Sequence, residues 1–133
     1  MTNAVTQTGH GFAVGDIVRY TGSAYTKAKA DTDTDAEALG MVTTVTDADH
    51  FTLTMGGYVT GLSGLSAGSV YYLDPSTAGA LTTTEPSATN QVSKPLLVAV
   101  STTTGYLFNW RGKVIPAPAA GGSSDLLNWL EAR

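Results

Sequence analysis

The side chains that most resemble a reactive group are four acids at alternate positions: Asp31, Asp33, Asp35 and Glu37. Carboxylates at every second position open a calcium-binding loop, because their oxygens converge on the ion. Such a loop also needs a glycine directly after the third ligand and a glutamate at its twelfth position. Those positions hold Ala36 and Val42, so the favoured interpretation is a plain, solvated acidic loop.

The two histidines, His10 and His50, are the other candidate ligands or bases. A metal site needs about three or four converging ligands. The two copies of the repeat do not share a carboxylate near these two histidines. The chain has no cysteine, which excludes disulfides and thiolate ligands. We therefore predict structural or exposed roles for both histidines, and no metal or other cofactor.

Sequence signatures of catalysis are missing. There is no Gly-x-Ser-x-Gly elbow that would expose a nucleophilic serine, and no glycine-rich phosphate loop followed by Lys-Ser or Lys-Thr. The acids Asp16, Asp74 and Glu85 fall in predicted turns and do not form a glycosidase-like pair. The sequence therefore predicts a protein that is not an enzyme.

Five aromatic residues in the second half are candidates for a sugar-binding face: Tyr71, Tyr72, Tyr106, Phe108 and Trp110. Aromatic rings on alternating strands more often fill a core or pair across strands. Core packing is the favoured interpretation, and recognition of a host-surface glycan is the alternative.

Charge is scarce, at 14% of residues against about a quarter in typical domains. The interface of two proteins is depleted in charge at its centre, so low charge favours a protein partner. The net charge of −4 and the scattering of the seven basic residues argue against nucleic acid. No apolar run is long enough for a bilayer span and no signal peptide is recognisable, so we expect synthesis in a cytoplasm and no membrane partner.

An internal duplication organises the chain. Phe12–Gly57 and Leu65–Gly112 share apolar positions and turn glycines at an offset of 53 to 55 residues. The aligned pairs include Gly15 with Gly68 and Met41-Val42 with Leu96-Leu97. No reactive side chain is repeated, and a duplication of pattern alone is typical of a scaffold.

Each copy is predicted to hold about four short strands separated by turns, which indicates an all-β barrel or sandwich. The predicted strands are Ile17–Tyr20, Ala24–Ala28, Leu39–Thr46, 51–55, Val70–Leu73, Ala80–Thr83, Lys94–Ser101 and Tyr106–Trp110, with Tyr58-Val59 as an optional linking strand. We divide the chain into a polar leader with some strand character (1–11), the first copy (12–57), a glycine-rich connection (58–64) and the second copy (65–115). The two copies are expected to form one domain.

The remaining residues differ in kind. Residues 116–124 read as a linker rich in proline, alanine and glycine. Residues 125–133 predict a short helix, capped by Ser123 or Ser124. A helix this short is not stable alone in water, so it must dock on its own domain or on a neighbour. Its apolar residues are the predicted partner contacts: Leu126, Leu127, Trp129 and Leu130.

Three segments resemble parts of tail-fibre and related virion structural proteins of tailed bacteriophages: Gly9–Val18, Gly64–Leu73, and Gly79–Thr82 followed by Val92–Pro95. The resemblance covers about residues 9–112. It implies a location in the virion, a homo-oligomer (a trimer first of all), contact with a larger viral structural protein, and no catalytic residues. Fibre proteins are usually longer, whereas here the module is nearly the whole chain.

That departure keeps three functions open. The first expectation is a tail-fibre or appendage subunit. The second is a capsid decoration protein that stabilises the head. The third is an adhesin module that binds a host surface receptor or glycan through the loops 31–37 and 84–90, with the leader and the C-terminal helix serving as contact arms in the structural alternatives.

Overall fold

The computed structural model describes residues 2–108 and 112–116, which form antiparallel β-structure without a helix. The predicted all-β class is confirmed. The strands of the described part are β1 (Thr2–Thr6), β2 (Ile17–Tyr20), β3 (Tyr25–Lys27), β4 (Gly40–Asp47), β5 (His50–Thr54), β6 (Gly57–Val59), β7 (Val70–Leu73), β8 (Leu81–Thr82), β9 (Val92–Ser93), β10 (Pro95–Ala99), β11 (Gly105–Leu107) and β12 (Lys113–Val114). The predicted helix 125–133 lies outside the described residues, as does the linker from residue 117 onward.

The duplication predicted from the sequence appears as two sheets with one topology. The first sheet has the strand order β1-β5-β4-β2-β3, and the second has β6-β11-β10-β7-β8. Each strand of the first sheet has a counterpart at the same place in the second. The pair β9 and β12 forms a small third ladder that belongs to the second half only.

The first strand of each copy lies where the sequence suggested a leader and a connection. Thr2–Thr6 pairs with β5 over its whole length, and Gly57–Val59 pairs with β11 in the same way. The leader is therefore the edge strand of the first sheet and not a free contact arm. Each copy contains five strands in its sheet where about four were expected.

The register between the copies also differs from the sequence alignment. In the first copy Gly15 N–H donates to Val42 O, and Val42 N–H donates to Asp16 O. In the second copy Gly68 N–H donates to Ala99 O, and Ala99 N–H donates to Ser69 O. The structural counterpart of Val42 is therefore Ala99, two residues beyond Leu97. The strand β10 also contains a β-bulge between Pro95 and Leu97.

The two sheets pack on one shared core. The first copy contributes Ile17 and Met41, together with a set of buried alanines: Ala28, Ala30, Ala36 and Ala38. The second copy contributes larger side chains, such as Leu73, Leu97 and Leu107. Successive side chains of a strand point to opposite sides, so every second residue of these strands faces the shared core. Backbone hydrogen bonds also join the copies, including Ile17 N–H to Gly79 O at 2.9 Å.

The opposite face of the first sheet encloses a second core. Phe12 and residues from all five strands meet there: Val5, Val18, Tyr25, Val42, Val45, Phe51 and Leu53, with Met55 beside them. The sheet closes on itself through Gln7, which follows β1. Gln7 Nε2 donates to Tyr25 O at 3.0 Å, and Tyr25 N–H donates to Gln7 Oε1 at 2.7 Å. One side-chain amide thus replaces a backbone pair between the edge strands β1 and β3.

We expect Gln7→Ala to destabilise the protein by about 1 to 3 kcal/mol, because it leaves both backbone groups of half-buried Tyr25 without these partners. Gln7→Glu is the isosteric comparison: it keeps the acceptor for Tyr25 N–H but places a carboxylate oxygen against Tyr25 O, so it should also destabilise the protein. Urea denaturation of the three proteins measures the effect. We call the first sheet, closed in this way around its second core, the first barrel. An alanine variant as stable as the wild type would show that the two hydrogen bonds of Gln7 do not hold the first barrel closed.

Candidate interaction surface

The outward face of the second sheet carries a row of exposed apolar side chains. Tyr58 lies directly opposite Tyr106, Tyr106 opposite Val98, and Val98 opposite Val70. We call these four residues the outer row. The two tyrosine rings pack with their centroids 5.1 Å apart. Tyr58 is 54% exposed, Tyr106 55% and Val70 38%, so the row opens to solvent at several points.

The corresponding row of the first sheet is largely buried. Three of its members, Ile17, Met41 and Thr54, are at most 4% exposed and face the second sheet. The fourth, Thr2 on the edge strand β1, lies opposite Thr54 and is exposed. Within residues 2–108 and 112–116, this face of the repeated unit is therefore largely covered in the first copy and open in the second.

No charged residue occurs in the segments that build most of this sheet. Residues 51–73 and 95–108 are free of Asp, Glu, Lys, Arg and His. The acids and bases of the first copy lie mainly in its loops and on β2 and β3. The outer row is therefore an uncharged aromatic and aliphatic surface.

The structure divides the aromatic residues considered for sugar binding. Tyr71 points into the shared core, where it is 8% exposed, and its hydroxyl accepts a hydrogen bond from Ser66 N–H. Tyr106 faces solvent, and Tyr72 and Phe108 are half-buried. Trp110 lies outside the described residues. The sequence missed Tyr58 as the partner of Tyr106, because pairing across strands is set by register.

The histidines have structural roles in the first barrel. The ring of His10 stacks on Phe12, meets Phe51 edge-on, and accepts a hydrogen bond at Nδ1 from Phe12 N–H. The Nε2–H then donates to Asp47 O at 2.8 Å. His50 pairs with the Asp47 carboxylate at 2.7 Å. Within the described residues no group of three or more potential ligands could hold a metal ion.

The Asp47 carboxylate is the group whose titration the fold changes. The His50 side chain, and next the Asp49 N–H, donate hydrogen bonds to it and hold its pKa below the usual 3.8. A lowered carboxyl pKa stabilises the fold above the unfolded-state pKa, and this contribution is lost as the pH falls through the folded pKa.

We therefore expect the melting temperature of wild type to exceed that of Asp47→Asn at neutral pH, with the difference disappearing in acid below the ordinary carboxyl range. Melting curves from about pH 7 down to about pH 2 measure this difference. His50→Ala removes the largest cause of the shift and should give a similar dependence. A difference that does not change with pH would contradict the assignment. The pair is solvent-exposed, so the effect is small.

Ion pairs and a buried side chain hold the acidic loop 31–37 against the first copy. Asp35 forms an ion pair with Arg19 at 3.4 Å, and Asp31 forms one with Lys29 at 3.6 Å. Ala36, in the middle of the loop, is 2% exposed in the shared core. Two of the four carboxylates of the loop, those of Asp31 and Asp35, therefore pair with neighbouring cations.

A cleft of about 250 Å³ opens beside the connection between the copies. Its lining combines backbone of the glycine-rich connection with the side chains of Val14, Met41, Leu62, Leu65 and Tyr71. Its lining contains the hydroxyls of Ser63 and Tyr71 but no carboxylate, histidine or lysine that could serve as a base beside them. The predicted partner contacts Leu126, Leu127, Trp129 and Leu130 lie outside the described residues, so they remain a prediction.

Comparison with known proteins yields no relative: no family model, curated protein or solved structure matches the chain. Among the described residues, no helix has the length and apolar character needed to cross a membrane.

Proposed function

We propose that the protein is a non-enzymatic structural protein of a tailed-bacteriophage virion. In this proposal it is a tail-fibre or appendage subunit that acts through contacts with its own copies, a trimer being expected, and with a larger viral protein. It is made in the host cytoplasm and then incorporated into the particle. The observation that carries a role in assembly is the uncharged outer face of the second sheet.

The use of the polar side chains supports a scaffold. Gln7 joins two strands, His10 packs between rings, and Asp74 accepts hydrogen bonds from the N–H groups of Ser76 and Thr77 in a turn. These polar groups stabilise the backbone and the core of the domain, which is the use expected in a structural protein. The virion location is supported by the sequence segments that resemble tail-fibre proteins.

Imaging of labelled particles tests the proposal. Because the chain has no cysteine, Ala88→Cys in an exposed loop of the second copy provides a single site for a gold label. Label confined to the tail or its tip is the expected result. Label spread over the head would replace the fibre subunit with a capsid decoration protein. Purified particles without the protein would overturn the virion assignment.

A further inference from the structure

We propose that the cleft beside the connection between the copies binds a small neutral ligand through an acetamido group. The carbonyl oxygen of this group accepts a hydrogen bond from the Tyr71 hydroxyl, and its methyl group contacts the apolar side chains that line the cleft. This binding function goes beyond the proposed structural role and does not depend on a location in the virion.

The cleft is deep enough to enclose a small chemical group. Met41 borders the cleft although it is itself buried, at 0% exposure, so the floor of the cleft reaches the shared core. Val14 also lines the cleft but is 42% exposed, and it therefore lies at the mouth. Ligand pockets commonly measure about 300 to 1,000 Å³. A volume of about 250 Å³ therefore fits one small group and not an extended chain.

The connection that forms one wall of the cleft is held in place by the second copy. Leu62 N–H donates to Thr103 O at 3.0 Å, and Leu65 N–H donates to Thr102 O at 3.1 Å. The side chain of Leu62 is 9% exposed and belongs to the shared core. The wall thus exists before a ligand arrives, and binding does not have to order a loop first.

The polar groups at the cleft offer hydrogen-bond donors. Tyr71 is 8% exposed, and its hydroxyl accepts a hydrogen bond from Ser66 N–H at 2.9 Å. Among residues 2–108 and 112–116, the proton of this hydroxyl has no acceptor. In the same part of the chain, the Ser63 hydroxyl and the N–H groups of Ser63 and Gly64 also have no partner. A buried tyrosine hydroxyl usually finds a partner for its proton, and an oxygen of the ligand is the complementary group.

The lack of charge around the cleft favours a neutral ligand. The described residues of its lining include no acidic or basic side chain. A carboxylate would lose its hydration there without meeting a cation, and an ammonium group would meet no acid. An amide carbonyl needs only the donors, while a methyl group needs apolar contacts of the kind that Leu65 and Leu81 provide. An acetamido group combines these two features in the smallest volume.

Titration of the full, ¹⁵N-labelled chain with N-acetylglucosamine tests the site, with the amide signals followed by NMR spectroscopy. Glucose is the matched control, because it has the same ring with a hydroxyl in place of the acetamido group. We expect N-acetylglucosamine to shift the amide signals of Ser63, Gly64 and Leu65 in a saturable way, and glucose to leave them unchanged. The contact is small, so the dissociation constant should lie in about the millimolar range.

A pair of tyrosine variants tests the role of the hydroxyl. Tyr71→Phe keeps the ring and removes the donor, so the affinity should fall by about 2- to 10-fold, the effect of one neutral hydrogen bond. Tyr72→Phe is the matched control, because Tyr72 is the next residue of β7 and points to the opposite face of the sheet. It should bind as the wild type does. The amide spectra check that both variants are folded. If Tyr71→Phe folds poorly, Ser63→Ala removes a donor from the exposed rim and should also weaken binding.

Four outcomes overturn the inference. Equal shifts with glucose would mean that the acetamido group is not recognised. Shifts confined to residues outside the cleft, such as the tyrosines of the outer row, would place the sugar elsewhere. Unchanged affinity of a folded Tyr71→Phe variant would remove the hydroxyl from the site. The absence of saturable shifts up to about 50 mM, well above the expected constant, would leave no site at all. A protein missing from particles would refute the virion role and leave this inference standing.

Discussion

Replacement of Phe51 by alanine is expected to reduce the free energy of unfolding by about 3 to 5 kcal/mol, the range for large aromatic side chains lost from a core. Phe51 is 1% exposed and occupies the centre of the first barrel. Its ring meets the rings of His10, Phe12 and Tyr25 at centroid distances of 5.0, 5.2 and 5.7 Å. Alanine therefore leaves a cavity between three rings that rigid strands and a tight loop hold in place.

Urea denaturation followed by circular dichroism in the near and far ultraviolet measures this loss. Domains of this size are stable by about 5 to 15 kcal/mol, so the loss is a large fraction of the total stability. Tyr20→Ala is the control, because a half-exposed ring should cost about 1 kcal/mol or less. A loss for Phe51→Ala no larger than that of Tyr20→Ala would mean that the first barrel collapses to fill the cavity.

The shape of the same transition also reports on the duplication. The two cores share strands β2 and β4, since Ile17 and Met41 face one core while their neighbours Val18 and Val42 face the other. Adjacent residues of each strand thus connect the core of the first barrel to the core that the two sheets share. We expect a single cooperative transition in both spectroscopic signals, shifted as a whole in Phe51→Ala.

The strands that alternate clearly were predictable from the sequence. Phe51 and Leu53 alternate with threonines, and the structure buries both on one face of β5. The hairpin between β2 and β3 was also predictable from its turn residues. In both cases the signal is local, so a single strand or a single turn determines the outcome.

The elements that were missed depend on pairing with distant residues. Thr2–Thr6 shows no apolar alternation, because it is an edge strand whose side chains mostly face solvent, and its pairing with β5 makes it a strand. The predicted alignment of β4 with β10 was two residues out of register, because hydrogen bonds between strands set the register and sequence offsets do not reveal them. The outer row could not be recognised as exposed, because apolar residues on both faces give no indication of which face the other copy covers.

The glycine that begins β4 illustrates this dependence on pairing at one position, and its replacement gives the second large effect. Gly40 lies opposite Val18. A Cβ atom there would lie 2.5 Å from Thr54 O and 3.2 Å from Leu53 Cδ1. Backbone oxygen in a paired strand cannot move aside as a flexible side chain can. We expect Gly40→Ala to force β4 away from β5. The free energy of unfolding should fall by at least the cost of typical overpacking, which is about 1 to 3 kcal/mol.

Gly56→Ala is the matched control for this effect. Its added Cβ would have Leu107 O as its nearest neighbour at 3.8 Å, an ordinary van der Waals distance. Denaturation midpoints of the two variants should therefore differ widely, with Gly56→Ala close to the wild type. Equal midpoints would mean that β4 and β5 separate at little cost. Because the contact of Gly40 with Thr54 brings β4 against β5, the requirement for glycine there arises from the fold and not from a local turn.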